Sequence, residues 1–207
     1  MREITTEAEL RDLLGEPAAP ALAKERSALH ELDRQWLAAS RFCLVATAGA
    51  DGSCDVSPKG DPAGFTLVLD DTTIAIPERP GNRRVDGFRN VLTNPHVGLL
   101  YLLPGRGDTL RINGRARIVV DAPFFDRMVV RGHRPVLALV VQIEQVFHHC
   151  AKAFHRSQLW DPAGWAPDAV ASRAVIAHAM ERRDEDLADV VRYYEGRAYT
   201  DGLYTQP

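Results

Sequence analysis

The stretch "DTLRINGRARIVV" (Asp108 to Val120) limits the possible folds more than any other part of the chain. Leu110, Ile112, Gly114, Ala116 and Ile118 occupy alternate positions, and Thr109, Arg111, Asn113, Arg115 and Arg117 fall between them. Successive residues of a strand point to opposite faces, so this segment is expected to be a strand with one face in a core and one polar, basic face. Other β-compatible runs surround it. "FCLVATA" is followed by the turn "GADG" and a return strand "SCDVSPKG"; an Asp-Gly pair is a strong hairpin signal. "FTLVLDDTTIAIPE" reads as two strands joined at Asp70-Asp71, and "HVGLLYLLPG" as another. "RPVLALVVQIEQVFHHC" is nearly continuous in apolar residues, which predicts a long strand buried on both sides.

Helical signals lie at the two ends. Thr5 or Thr6 can cap "TEAELRDLLG", which stops at Gly15, and "APALAKERSALHELDRQWLAAS" places Leu22, Leu29, Leu32, Trp36 and Leu37 near helical spacing. "PDAVASRAVIAHAM" and "DEDLADVVRYYEG" read as helices near the other end, with Tyr193 and Tyr194 expected to pack on the barrel. One inserted helix begins after Pro80-Gly81, puts Val85, Phe88 and Leu92 on one face, and ends before Asn94-Pro95. Six or seven short strands with few strand–helix–strand units favour a small barrel over a doubly wound sheet. The expected fold is mainly β with flanking helices: an N-terminal helical arm at 1–40, a barrel at 41–150 and a C-terminal helical extension at 151–207 packed on it.

The net charge of −3 argues against general nucleic-acid affinity, though a local basic pocket is compatible with it. Cys43, Cys54 and Cys150 are odd in number and have no metal-like spacing, which suggests a reducing compartment. No apolar run has the roughly 20 residues of a membrane span, and "MREITTEAEL" is too charged for a secretory signal. A cytoplasmic protein with no membrane or nucleic-acid partner is the expectation.

The chemistry-bearing residues begin with Arg83 and Arg84, which the sequence places in the first turn of the inserted helix. Cations are disfavoured there. A bound phosphate would neutralise them and accept from the free N–H groups; for an Arg-Arg pair taken alone, simple exposure to water is the plainer account. Ser57 and Lys59 share a strand face and are a second half of such a site if the strand end lies beside the helix start. Lys152 and Arg156 share a helix face, facing either an anion or solvent. His148, His149, Cys150 and His155 are metal-ligand types, but adjacent histidines at a strand end do not readily face one ion, so no metal is expected.

From Phe42 to Cys150 the order of motifs resembles the pyridoxamine 5'-phosphate oxidase-like flavoproteins, whose fold is the FMN-binding split β-barrel. The segments that carry the resemblance are "CDVSPK", "GNRRVDGFRNVLTNPHVGLLYL" and "DTLRINGRARIV". The resemblance implies an FMN-dependent oxidoreductase acting on a small-molecule substrate or electron donor, a homodimer with FMN between the subunits. It implies that Arg83 and Arg84 bind the FMN phosphate, with Asn82 in place of the serine before them. Lys59 matches the lysine that ends the earlier strand, and Asp55, Val56 and Ser57 line the flavin ring. Thr109 stands where the family has a glutamine, and Arg111 points to the same side. "DAPFFDRMVVRGHRP" lacks the serines of the family's substrate-phosphate motif, no terminal Arg-x-x-Pro is present, and "FHHC" replaces a flavin-contacting tryptophan. The implied substrate is therefore not pyridoxamine phosphate. No catalytic side chain is assigned. A non-catalytic flavin- or haem-binding carrier or sensor is the alternative, and a deazaflavin cofactor a related one.

Overall fold

A computed structural model describes residues 1–205 of the chain. Among these, seven strands form one sheet: β1 (Phe42–Ala48), β2 (Cys54–Gly60), β3 (Leu67–Val68), β4 (Thr73–Pro77), β5 (His96–Leu102), β6 (Thr109–Val119) and β7 (Ala138–His149). Their order is β2-β1-β5-β6-β7-β4-β3, and every pairing is antiparallel. β1 and β4 stand four strand spacings apart in that order, about 19 Å in a flat sheet. Yet Val45 of β1 and Ile74 and Ile76 of β4 share one buried cluster with Ile112 and Val146. The sheet is therefore rolled on itself into a split barrel, mainly β with helices at its flanks, and it stays open along a seam between β2 and β4.

The alternation read in β6 holds: Leu110, Ile112 and Ala116 are buried, while Arg111, Arg115 and Arg117 are exposed. Each large apolar side chain so buried contributes roughly 1.5–3 kcal/mol, which fixes the face and with it the register. Thr109 departs from the pattern; it is buried between Leu102 of β5 and His149 of β7. β7 is buried on both faces from Ala138 to Val141 and again at Val146 and Phe147, while Gln142 and Glu144 between them are exposed. The cover for the first half is a short 3-10 segment, Pro123–Met128, whose Phe125 and Met128 join Ala138 and Val140 in a second cluster outside the barrel. In the second half the strand alternates from Gln142 to Glu144, and at Val146 and Phe147 the N-terminal arm adds cover, with Arg26 bridging Val146 and Lys24 over the Phe147 ring.

The second N-terminal helix expected from the sequence is broken in two. Helix α1 (Glu7–Leu14) forms as read, with the Thr6 side chain accepting from the Glu9 N–H and Gly15 (φ 74°) ending it. Next come α2 (Ala19–Ala23) and α3 (Glu31–Ala39), and between them Arg26 bridges Val146 of β7 as a single extra strand residue. The break is fixed by His30, which caps α3, and by Asp33, which bonds back to the His30 N–H and holds Arg26. Leu29, Trp36 and Leu37 consequently reach the core, while Leu22 and Leu32, expected on the same face, lie in solvent.

The inserted helix, α4 (Asp86–Thr93), crosses from β4 to β5. After β7 come α5 (Lys152–Ser157), α6 (Arg173–Met180), α7 (Leu187–Glu195) and α8 (Arg197–Asp201). Ala174 and Ala177 of α6 and Val190 of α7 make a small core of their own. Tyr193 and Tyr194 pack on each other and on Tyr199, not on the barrel, because α7 turns them toward α8. The last two residues of the 151–207 segment lie outside the described residues. Among the described residues no helix is long and apolar enough to cross a membrane.

Candidate functional site

The seam holds a cleft of about 480 Å³, within the roughly 300–1,000 Å³ of small-molecule sites. One wall is β2, where Asp55, Ser57 and Lys59 form the half-buried face and Val56 points to solvent. The opposite wall is the segment from Pro77 to Val85 and the first turn of α4. Val45, Phe65 and Leu139 supply an apolar back. Strand pleating brings the β2 residues together; the turn after β4 brings Asn82, Arg83 and Arg84 to face them.

That turn is unusual. Arg83 (φ 59°) and Val85 (φ 55°) both adopt the left-handed conformation, which is rare outside glycine and rarest for a β-branched residue. Such positions cost of order 1–3 kcal/mol each and persist where the surroundings demand them. The Arg84 N–H donates to Asn82 Oδ1 at 3.1 Å, closing a side-chain turn, and α4 starts only at Asp86. The two arginines thus precede the helix; they are not in its first turn, and the sequence expectation is corrected. Their presence at the cleft does not depend on it, since both line the cavity.

Four cations line the cleft (Lys59, Arg79, Arg83 and Arg84) against three carboxylates (Asp55, Glu78 and Asp86). Most are engaged. Lys59 pairs with Glu78 across the seam, Arg84 Nε bonds Asp86 Oδ2 at 2.7 Å, and Arg79 Nε bonds the buried Asp61 at 2.6 Å. Ser57 Oγ donates to Asp55 Oδ2 at 2.8 Å. The hydrogen bond to Asp86 and its charge push the Arg84 guanidinium above its already high ordinary value. Lys59 Nζ also stands 5.1 Å from the centre of the Phe88 ring. An anion entering here competes with Asp86 for Arg84, which is exposed. Gly87 gives close passage: a Cβ there would meet Asp55 Oδ2 at 3.2 Å.

Seven of the residues singled out in the sequence thus line one cleft: Asp55, Val56, Ser57, Lys59, Asn82, Arg83 and Arg84. Four do not. Thr109 is buried in the sheet, and Arg111 lies on the outer face over the Phe147 ring at 5.5 Å. Lys152 and Arg156 are exposed on α5. The carboxylates Glu78 and Asp86 were missed, as was Arg79. Glu78 follows "TIAIP" directly, and its closeness in the sequence to Arg79, Arg83 and Arg84 was the available signal. Of the histidines, His148 Nε2 is held by Asp33 at 3.0 Å, and none lines the cleft.

A sequence model of the pyridoxamine 5'-phosphate oxidase family matches residues 29–150, more than half of the chain. The chain belongs to that family. Among solved structures it is similar to HupZ of Group A Streptococcus, at 20% identity and TM-score 0.46 over 58% of this chain and 94% of that one. It is similar to a Clostridium acetobutylicum protein related to general stress protein 26, at 16% identity and TM-score 0.43 over 57% and 85%. It is also similar to HutZ, the haem storage protein of Vibrio cholerae, at 14% identity and TM-score 0.41 over 58% and 93%. These likenesses are too distant to bear on function. No match was found among curated proteins.

Proposed function

We propose that the chain is an FMN-dependent oxidoreductase acting on a small molecule other than pyridoxamine phosphate. The observation that carries this reading is the convergence of Ser57 and Lys59 with Asn82, Arg83 and Arg84, from two separate segments, on one cleft in a chain of this family. The cleft fits the cofactor in kind: cations and an Asn-closed turn for a phosphate at one end, an apolar back wall for a ring. Bound FMN would supply hydride or electron transfer. The chain's part is to bind and orient. Arg83 and Arg84 take the phosphate, with Arg84 released from Asp86; the β2 face holds one side of the ring; and Lys59, beside the apolar wall, favours negative charge there. We further propose a homodimer, in which the outward Arg111 of a partner subunit reaches a cleft it does not reach within its own chain.

The test is an absorption spectrum of the purified protein, with mass identification of whatever denaturation releases. FMN is expected. Replacing Arg83 and Arg84 together by alanine should weaken FMN binding by about 3 kcal/mol, more than a hundredfold in Kd, because charged hydrogen bonds are worth roughly 1.5–3 kcal/mol each and Asp86 already competes for one of them. Unchanged affinity removes the phosphate assignment. Light scattering should give twice the 22.9 kDa of the chain.

One observation favours a second reading, a non-catalytic carrier or sensor: Ser57 and Lys59 are committed to Asp55 and Glu78. Flavin-loaded protein that reduced nicotinamide fails to bleach would support it. A haem version of that reading finds no histidine among the residues lining the cleft, and a Soret band in place of flavin absorption is its signature.

A further inference from the structure

Tyr204 returns from the C-terminal helices to the barrel. Its Oη donates to Asp61 Oδ1 at 2.6 Å, and the Asp61 side chain is only 2% exposed. The ring lies nearly parallel to that of His133, with centroids 6.1 Å apart and planes at 16°. The guanidiniums of Arg79 and Arg131 stand 5.6 and 5.4 Å from its centre, inside the ≈ 6 Å at which a cation is attracted to a ring face. Burial and the bond to Asp61 push the phenol up from its ordinary value, which keeps the proton on Oη for donation.

The surroundings of this ring are held without it. Arg79 bonds Asp61 through Nε, the Met128 carbonyl at 2.7 Å and the His133 carbonyl at 3.3 Å. His133 sits on a tight hairpin closed against Val130, with Arg131 and Gly132 both left-handed (φ 51° and 80°). Asp61, Arg79 and the His133 backbone therefore have partners besides Tyr204. Arg79 also lines the cleft described above, so the Tyr204 ring sits beside it.

We infer that Asp61, Arg79, Arg131 and His133 form a binding pocket for a hydroxyaromatic ring, and that Tyr204 is a tethered occupant that closes it to free ligand. A buried carboxylate accepts the hydroxyl, an imidazole stacks on the ring, and two guanidiniums stand by its face. A tether holds its occupant at an effective concentration in the millimolar range, so a free ring competes poorly until the tail leaves. The inference does not rest on a flavin, and its test uses none.

The probe is 4-methylphenol, the tyrosine side chain beyond its α-carbon. Full-length protein with Tyr204→Ala should bind it saturably in ligand-observed NMR. The unmodified chain should bind at least about tenfold more weakly, because only the fraction with its tail released is competent. Adding His133→Ala to Tyr204→Ala should abolish the gain. Binding by Tyr204→Ala no tighter than by the unmodified chain, or unaffected by loss of His133, overturns the proposal. A second measurement needs no variant: 4-methylphenol should displace the tail and speed tryptic cleavage after Arg197, whereas 4-methylanisole, with no hydroxyl to donate, should not. A cleavage rate insensitive to 4-methylphenol overturns it equally.

Discussion

Asp33 is a carboxylate with 1% of its side chain exposed, and three donors hold it: the Arg26 guanidinium, the His30 N–H at 2.8 Å and His148 Nε2 at 3.0 Å. It joins α3, the Arg26 bridge and the end of β7, so one residue ties the N-terminal arm to the barrel. Burial pushes its carboxyl up, but the bonds from Arg26, His30 and His148 outweigh that and hold it below its ordinary value. An unfolded aspartate titrates near about 3.9. The folded state therefore binds fewer protons than the unfolded one in that region. The stability this group contributes is complete above the unfolded value and is lost as pH falls toward the folded one. Replacing Asp33 by asparagine should cost about 3 kcal/mol at neutral pH, the low end for a broken buried pair because Arg26 keeps a third of its side chain in water. Urea midpoints across the acid range check the origin of the effect. The gap between Asp33→Asn and the unmodified chain should narrow as pH drops through about 4, since Asp51, Asp70 and Asp108, also lowered, titrate in both proteins. A gap constant with pH would falsify the ionic account.

Between β6 and β7 the register slips by one residue: Asn113 faces Gln145, but Gly114 faces Ile143, leaving Glu144 as the extra residue. A Cβ on Gly114 would overlap the Gln142 carbonyl oxygen, which is backbone and cannot swing aside. Gly114→Ala should therefore destabilise the protein by about 2–3 kcal/mol through overpacking, seen as a lower thermal midpoint with the sheet's circular dichroism retained below it. An unchanged midpoint would mean the two strands can part there at little cost. The slip marks what the sequence could and could not convey about elements. The period of two in β6 is visible because Leu110 and Ile112 need a core, and burial enforces what the pattern states. The bulge is not visible, because Gly114 fits the apolar face of the alternation as well as it fits a bulge. The start of α4 is hidden for a similar reason. Pro80-Gly81 signals a break, and only the left-handed Arg83 and Val85, with Asn82 closing the turn, delay the helix to Asp86. Lys59 lies on β2 and Glu78 just past the end of β4; their nearness follows from sheet closure, and no local period encodes that.

At the scale of the whole molecule, apolar burial is unevenly shared. The barrel and α3 share one large cluster that includes Trp36, Tyr101, Leu110 and Ile112, all buried. The C-terminal helices rest on Ala174, Ala177 and Val190, two of them alanines, with Val191 and Tyr194 beside them. Ring contacts among Tyr193, Tyr194 and Tyr199, and the ion pairs of Arg173 with Glu181 and Arg182 with Glu185, add to that small core. Exposed ion pairs are worth little, roughly 0–1 kcal/mol each, so they do not make up the difference in buried apolar surface. Segments with few buried contacts open at a lower free energy than the global one. Amides of α6 and α7 should then exchange with solvent deuterium at least about a hundredfold faster than those of β6 and β7, a gap of roughly 2.7 kcal/mol or more. Tyr204 sets the sharper version of the experiment. Because it anchors the far end of this helical unit to the buried Asp61, losing its ring should speed exchange in α8 and α7 while leaving the barrel's central strands as they were. Equal protection in the helices and the barrel would mean that the two cores unfold as one, and that the small one draws support from contacts other than its own packing.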